Sequence, residues 1–452
     1  MPEIGQNSPY FYDHGLPCYT HGVKNGPNNV ENNGENNRST DEKTPLFASL
    51  DYPGTRRYFA GLVLSMTGTW MQSIAMAWLV VKKLGGGGHE LGLLQVFQFA
   101  PILVLGAWAG SLADRVDKRK FMAGTQVILG LGALLLATLD FSDRASMGAV
   151  FAISGVTGLA NAFDTPIRRA LIGDLVPKSS MPNAMSLNTG VITSARVLGM
   201  ALGGFVTKFA GTQWCFLLNG ISYLAMMAAL WGLQTRAHTS APAASDSGVR
   251  EAALHLWRTP ALRVSMLATS LIATLTFNYG LTFPLLVEGV FKRDADGLGL
   301  LMMLTSVGSF VGALVSAKRT RPTVEVFLTG ALIMGAGCLG VASAPSFAIS
   351  NVYVVPMGFG GGLLMAQLSG MLTSLSPSSM RGRVLALQSV IFLGSTPIGG
   401  PIIGTVSDQW GARWGVAIGG IAAIAATAIS YRPTQKARRN RQAVTSSPHQ
   451  VP

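Results

Sequence analysis

Apolar residues in this chain come in runs of about twenty, separated by short polar or Gly/Pro-rich breaks. A run of that length crosses a hydrocarbon core of roughly 30 Å as a helix. Twelve stand out, at residues 58–81, 91–112, 121–139, 146–164, 187–208 and 214–233, then 262–288, 298–317, 326–342, 347–375, 384–406 and 414–430. The pattern predicts an all-α membrane protein with twelve transmembrane helices. A polar stretch divides them into a six-helix half at residues 56–233, a central loop at 234–260 and a second six-helix half at 261–431. Residues 1–55 are rich in Asn, Gly and Pro and hold too few apolar side chains to repay ordering, so they are expected to be a disordered tail. They lack the apolar core of a cleavable signal peptide, which leaves insertion to the first helix. Residues 432–452 form a short basic tail.

Composition narrows the class. The chain is 49% hydrophobic and 12% charged, whereas about a quarter of an average globular protein is charged. The lipid bilayer is therefore its solvent. A net charge of +13 would suit nucleic acid, but the basic residues sit in short clusters between apolar runs, so no nucleic-acid partner is expected. Cys18, Cys215 and Cys338 are far apart, which predicts neither a disulfide framework nor a metal site. No phosphate-cradling G-x-x-x-x-G-K-[ST] loop, HExxH or GxSxG occurs, so neither an ATP-driven pump nor an enzyme is indicated, and no cofactor is expected.

Between the second and third runs stands Gly110-Ser111-Leu112-Ala113-Asp114-Arg115-Val116-Asp117-Lys118-Arg119-Lys120. Its basic residues belong to a wider bias: sixteen Lys and Arg lie in this and every second loop after it, and seven in the alternate set, which puts both termini and the central loop in the cytoplasm. An internal repeat runs through the chain. Leu175-Val176-Pro177-Lys178-Ser179-Ser180-Met181 returns as Leu375-Ser376-Pro377-Ser378-Ser379-Met380, and Gly203-Gly204 as Gly399-Gly400. Two parallel halves of this kind enclose a site near the bilayer midplane that opens to alternate sides as they rock.

Taken together, the twelve spans, the halved repeat and the charged cluster resemble the major facilitator superfamily. The cluster is similar to that family's G-x-L-a-D-R-x-G-R-R/K signature, with Asp117 where Gly is commonest. Asp164-Thr165-Pro166, Ala195-Arg196-Val197-Leu198-Gly199 and Arg381-Gly382-Arg383-Val384 resemble the branch of enterobactin exporters and transmembrane secretion effectors. Gly199-Met200-Ala201-Leu202-Gly203-Gly204 departs from the Gly-Pro-x-x-Gly-Gly of many drug antiporters. The resemblance implies the major facilitator fold and a monomeric secondary transporter in the cell membrane. It would exchange a small amphipathic molecule, drug or siderophore-like, for protons; an importer in the same fold, or a non-transporting scaffold, is the alternative.

Candidate residues follow. Gly110, Asp114, Arg115, Lys118 and Arg119 make either a latch, with Asp114 docking on the cytoplasmic end of the eleventh span, or merely a solvated loop that sets topology. The second copy has Ser316 where Asp would stand, so only the first half keeps this charge. Arg196 is the one ionisable residue deep within a run; it could attract an anion, hold a coupling carboxylate, or bond backbone carbonyls. Asp164, expected to end the fourth span, is the best candidate to titrate. Gln72, Asn161, Asn278 and Gln367, with Gln98 and Tyr279, either face a cavity or bond between helices. Gly199, Gly203, Gly204, Gly399 and Gly400 permit close helix packing or hinging.

Overall fold

The computed structural model describes residues 48–113, 116–233, 246–319, 321–377 and 380–445. Among them there is no strand. That is the expected outcome where no water reaches the backbone, because a helix satisfies its own N–H and C=O groups. The first half holds α1 (Pro53–Trp78), α2 (Gly88–Ala113), α3 (Lys118–Phe141), α4 (Met147–Leu175), α5 (Met181–Phe209) and α6 (Thr212–Leu230). A short amphipathic helix, α7 (Asp246–Arg258), precedes the second half. There, α8 (Pro260–Leu275) and α9 (Tyr279–Leu285) form one span, followed by α10 (Ala295–Ala317), α11 (Val324–Ser343), α12 (Phe347–Ser374), α13 (Arg381–Trp410) and α14 (Ala412–Thr445).

Eleven of these spans are long and apolar enough by themselves to cross a membrane. The twelfth is α1, whose 26 residues include Ser65, Thr67, Thr69, Gln72 and Ser73. It tolerates them because it packs against α5, α6, α9 and α10 instead of facing lipid alone. The repeat is written into local chemistry as well as sequence. Ser146 and Ser346 cap α4 and α12 by accepting from the amides of Ala149 and Ile349, each filling one orphan donor of a helix start. Gly211 and Gly411 turn the chain into α6 and α14 with φ of 99° and 94°, a conformation that strains any side-chain-bearing residue. The first span of each half closes in a single π-helical turn, Leu79–Lys83 and Leu286–Val290.

Several boundaries move from the sequence reading. Ordered chain begins before residue 55: Ala48–Asp51 forms a 3₁₀ turn in which Ser49 donates to Asn183 Oδ1 from both its amide and its hydroxyl. Pro53 then starts α1, in the first turn where its missing N–H costs nothing. Asp164 does not end a span. α4 continues through Pro166 to Leu175, because the carboxylate is hydrogen-bonded within the bundle and does not demand water. α5 starts at Met181, six residues before the expected start of its apolar run, and α14 continues to Thr445 through the expected basic tail. Pro356 and the glycines after it leave α12 unbroken.

Close approach is concentrated at glycines. A Cβ at Gly399 would fall on the carbonyl oxygen of Thr274 in α8, and one at Gly203 would lie 2.9 Å from the oxygen of Met71 in α1. These are equivalent contacts in the two halves. Gly399→Leu is therefore expected to lower stability by about 1–3 kcal/mol through overpacking. Gly190→Ala, where an added Cβ meets nothing within 4 Å, should be neutral or stabilising. Thermal unfolding of the purified protein in detergent compares them, and equal melting temperatures would refute the packing argument.

Candidate functional site

Helices of both halves come together around one cavity of about 630 Å³. α1, α2 and α5 supply one wall; the α8–α9 junction, α10, α12 and α13 supply the other. Along α2 the lining residues Leu91, Leu94, Gln95 and Gln98 follow i, i+3, i+4, i+7 spacing, so a single helix face is presented. Gln95 was not singled out by the sequence; its shared face with Gln98 is the signal that points to it. At the α8–α9 junction, Pro284 lacks the N–H that would bond Gly280, and the span breaks at Asn278. That break sets Phe277, Tyr279 and Gly280 into the wall. Broken spans of this kind mark sites in transporters generally.

Arg196 lies halfway along α5 and lines the cavity. Its position follows from glycine: a Cβ at Gly199, one turn on, would sit 2.7 Å from Trp70 Cβ, so α5 is pressed onto α1 there. The guanidinium consequently lies over the Trp70 ring, 5.9 Å from its centroid, a cation–π arrangement. Its Nε has no hydrogen-bond partner, and it joins no ion pair among the described residues.

The other candidate residues serve different places. Asp164, 2% exposed, accepts from Thr125 Oγ1 at 2.9 Å and Gln126 Nε2 at 2.8 Å, with Arg168 Nε at 3.8 Å. It is not in the cavity wall and is not paired with Arg196. Gln72 accepts from Asn219 Nδ2 at 2.7 Å and joins α1 to α6. Gln367 accepts from the Thr323 amide and donates to Ser316 Oγ at 2.8 Å, so the second copy of the charged cluster is tied by neutral hydrogen bonds. Asn278 donates back to Thr274 O across the break in the seventh span. Asn161 is half-buried on α4, outside the wall.

Within the charged cluster, Asp114 and Arg115 lie outside the described residues, as do the surroundings of Gly110 in α2. Lys118 Nζ meets Asp174 Oδ2 at 2.7 Å, and Arg119 donates to Leu233 O at 3.0 Å; both fasten the first half internally. Asp117 caps α3 by accepting from the amides of Arg119 and Lys120, which accounts for an acid where the superfamily commonly has Gly.

The two halves meet at the end of the bundle remote from α7. Gly204 packs on Gly299 of α10, and Gly400 and Gly404 on Gly92 and Gly88 of α2. Three polar ties bridge the same end. Lys82 meets Glu288 at 3.3 Å and Lys208 meets Asp296 at 2.8 Å. Asp408 of α13 accepts from the amides of Gly88 and His89, at 2.6 and 2.7 Å, and so caps the N-terminus of α2 from the opposite half. An acid suits that helix end, where unpaired N–H groups carry partial positive charge.

The family model for transmembrane secretion effectors matches residues 46–452. The chain belongs to that family of major facilitator transporters. This transporter is 24% identical to the staphyloferrin A transporter of Staphylococcus aureus over 83% of its own length and 95% of the relative's. It is also 24% identical to the multidrug efflux pump Tap of Mycolicibacterium fortuitum, over 78% and 88% of the two chains. Its fold is similar to that of a bacterial homologue of the human lysosomal transporter Spinster in an inward-facing, occupied conformation, with TM-score 0.68, 14% identity and coverage of 85% and 97%. A D-xylose–proton symporter shares the fold with TM-score 0.65 at 14% identity, over 84% and 98%.

Because the carboxylate cap is worth about 1 kcal/mol, Asp408→Ala should loosen the closed end. Cysteines replacing Lys82 and Glu288 should cross-link readily in the otherwise unchanged transporter and several-fold less with Asp408→Ala; an unchanged yield would exclude the cap as a closure element.

Proposed function

We propose that this transporter exports a small amphipathic organic molecule by alternating access, driven by the proton gradient, as a monomer in a bacterial cell membrane with both termini cytoplasmic. The observation that carries the reading is the central cavity, built by both halves and shut at one end by contacts that are individually weak. Ion pairs at the Lys82–Glu288 and Lys208–Asp296 positions are partly exposed, and exposed pairs contribute about 0–1 kcal/mol each. Such a seam reopens at small cost, as an equilibrium between two states requires. With the termini cytoplasmic, the sealed end faces outward. The names of two relatives, a staphyloferrin A transporter and a multidrug efflux pump, support a small-molecule cargo, and the second supports the outward direction.

The charged cluster takes the complementary role in this reading. Among the described residues no side chain caps the N-terminus of α13, since Met380 supplies none. Asp114 would dock there when the cytoplasmic end closes, as Asp408 caps α2 at the other end. Asp164 is the carboxylate we assign to proton coupling, because it is buried and sits where loss of a proton changes its bonds to Thr125, Gln126 and Arg168.

Purified transporter in proteoliposomes, with an imposed pH gradient and a panel of siderophores and fluorescent dyes, tests this. Accumulation of at least one compound should follow the gradient and collapse with a protonophore. Asp164→Asn should abolish gradient-driven accumulation while leaving downhill exchange within about threefold, since only a coupling contribution of under ~1 kcal/mol to exchange is removed. Flux indifferent to the gradient would refute proton drive.

A further inference from the structure

The chemistry of the cavity wall selects the charge of its occupant. Most of the wall is soft and apolar: Trp70, Phe277 and Phe392 offer ring faces and edges, and Met76, Met200 and Met302 offer adaptable thioethers. Neither Asp nor Glu lines it among the described residues, and Arg196 is its one permanently charged group there. Three buried polar atoms of this wall have no hydrogen-bond partner among the described residues: Arg196 Nε, Tyr279 Oη and Gln95 Oε1. Two of them are donors.

The Arg196 guanidinium differs from the other unpartnered groups in carrying a charge. Other buried atoms lack partners too, Tyr58 Oη and Asn188 Oδ1 among them, but they are neutral, and the charged and amide groups nearest them in kind are largely committed. Asp164 has Thr125, Gln126 and Arg168; Gln367 has Thr323 and Ser316; Gln72 has Asn219. A guanidinium taken out of water and left without a counter-ion is strongly unfavourable, and the Trp70 ring offsets only part of that. Since no described carboxylate pairs with Arg196, the alternative that it holds a coupling acid of the protein loses its partner. The missing negative charge then belongs to what enters the cavity.

We propose that the cavity takes an amphipathic organic anion, whose carboxylate or equivalent oxyanion pairs with the Arg196 guanidinium and whose apolar body rests against Trp70, Phe277 and the methionines. This deepens the transport reading above and rests on it only for the fate of the ligand after binding. Tyr279 Oη offers a further donor in the same wall, and Gln95 Oε1 an acceptor for a hydroxyl or amide of the ligand. Selection is by charge and apolar bulk together, so neutral and cationic analogues of equal shape bind less well.

The test is binding without any gradient, using the full chain in lipid nanodiscs and three probes of one skeleton: pyrenebutyrate, its uncharged amide pyrenebutyramide, and cationic pyrenemethylammonium. Energy transfer from tryptophan to pyrene reads the affinities. The wild-type transporter should prefer the anion over both others by about tenfold or more, the scale of a charge-assisted hydrogen bond in a water-poor site. Arg196→Gln should reduce that preference to within about twofold, and Arg196→Lys should keep part of it, as a point charge without the guanidinium fork. Equal affinities for the three probes in the wild-type transporter overturn the proposal even if the variants fail to fold, and so does a preference that survives Arg196→Gln. Failure of gradient-driven flux in proteoliposomes would instead refute the transport reading and leave this preference standing.

Discussion

Two helices can bring their backbones together only where no Cβ stands between them, and this constraint organises the transporter from end to end. In each half the repeated Gly-Gly pair divides the work. Its first glycine seats the span on the first helix of the same half, as Gly203 does on α1 and Gly399 on the equivalent α8. Its second glycine faces the opposite half, Gly204 against Gly299 and Gly400 against Gly92. Internal assembly and reversible closure are thus built on adjacent residues of one helix. A seam of backbone contacts gains dispersion energy when shut, yet few side chains must be repacked to open it.

The same contacts decide where charge can sit. Gly199 draws α5 against α1, and the next turn back places Arg196 over Trp70 at the cavity edge. Polar groups within the bundle then fall into two sets. Those with partners hold helices in register, because an unmet donor or acceptor in hydrocarbon is expensive. Of those without partners, the one that is charged, Arg196, stands in the cavity wall, where a ligand can supply what it lacks.

The halves are alike in frame and unlike in chemistry. Serine caps, left-handed glycine turns and π-helical turns recur about two hundred residues apart. Closure uses different groups at equivalent positions. α5 offers Lys208 to Asp296 at the start of α10, while α13 offers Asp408 to the bare amides at the start of α2. The span broken at Asn278 has an unbroken counterpart in α1, so flexibility and recognition are loaded onto the second half. Such asymmetry lets a duplicated scaffold have one site with a direction.

Spacing and composition alone determined the membrane class, the twelve spans and their division into halves. Each depends on hydrocarbon thickness and helix rise, which act locally along the chain. Burial partners act across it, and tertiary structure alone decided those. Asp164 reads as a helix end because an acid beside Pro166 and two arginines signals water, yet α3 carries Thr125 and Gln126 to it and the helix runs on. Gln72 and Gln367, polar in apolar runs, read as either lining or bonding between helices, and only the packed bundle shows that each finds a neighbour. Asp408 is an unremarked acid until α13 lies against the start of α2. A one-dimensional pattern shows which groups need a partner; only the packed bundle shows which of them found one within the protein, and left Arg196 to find its own elsewhere.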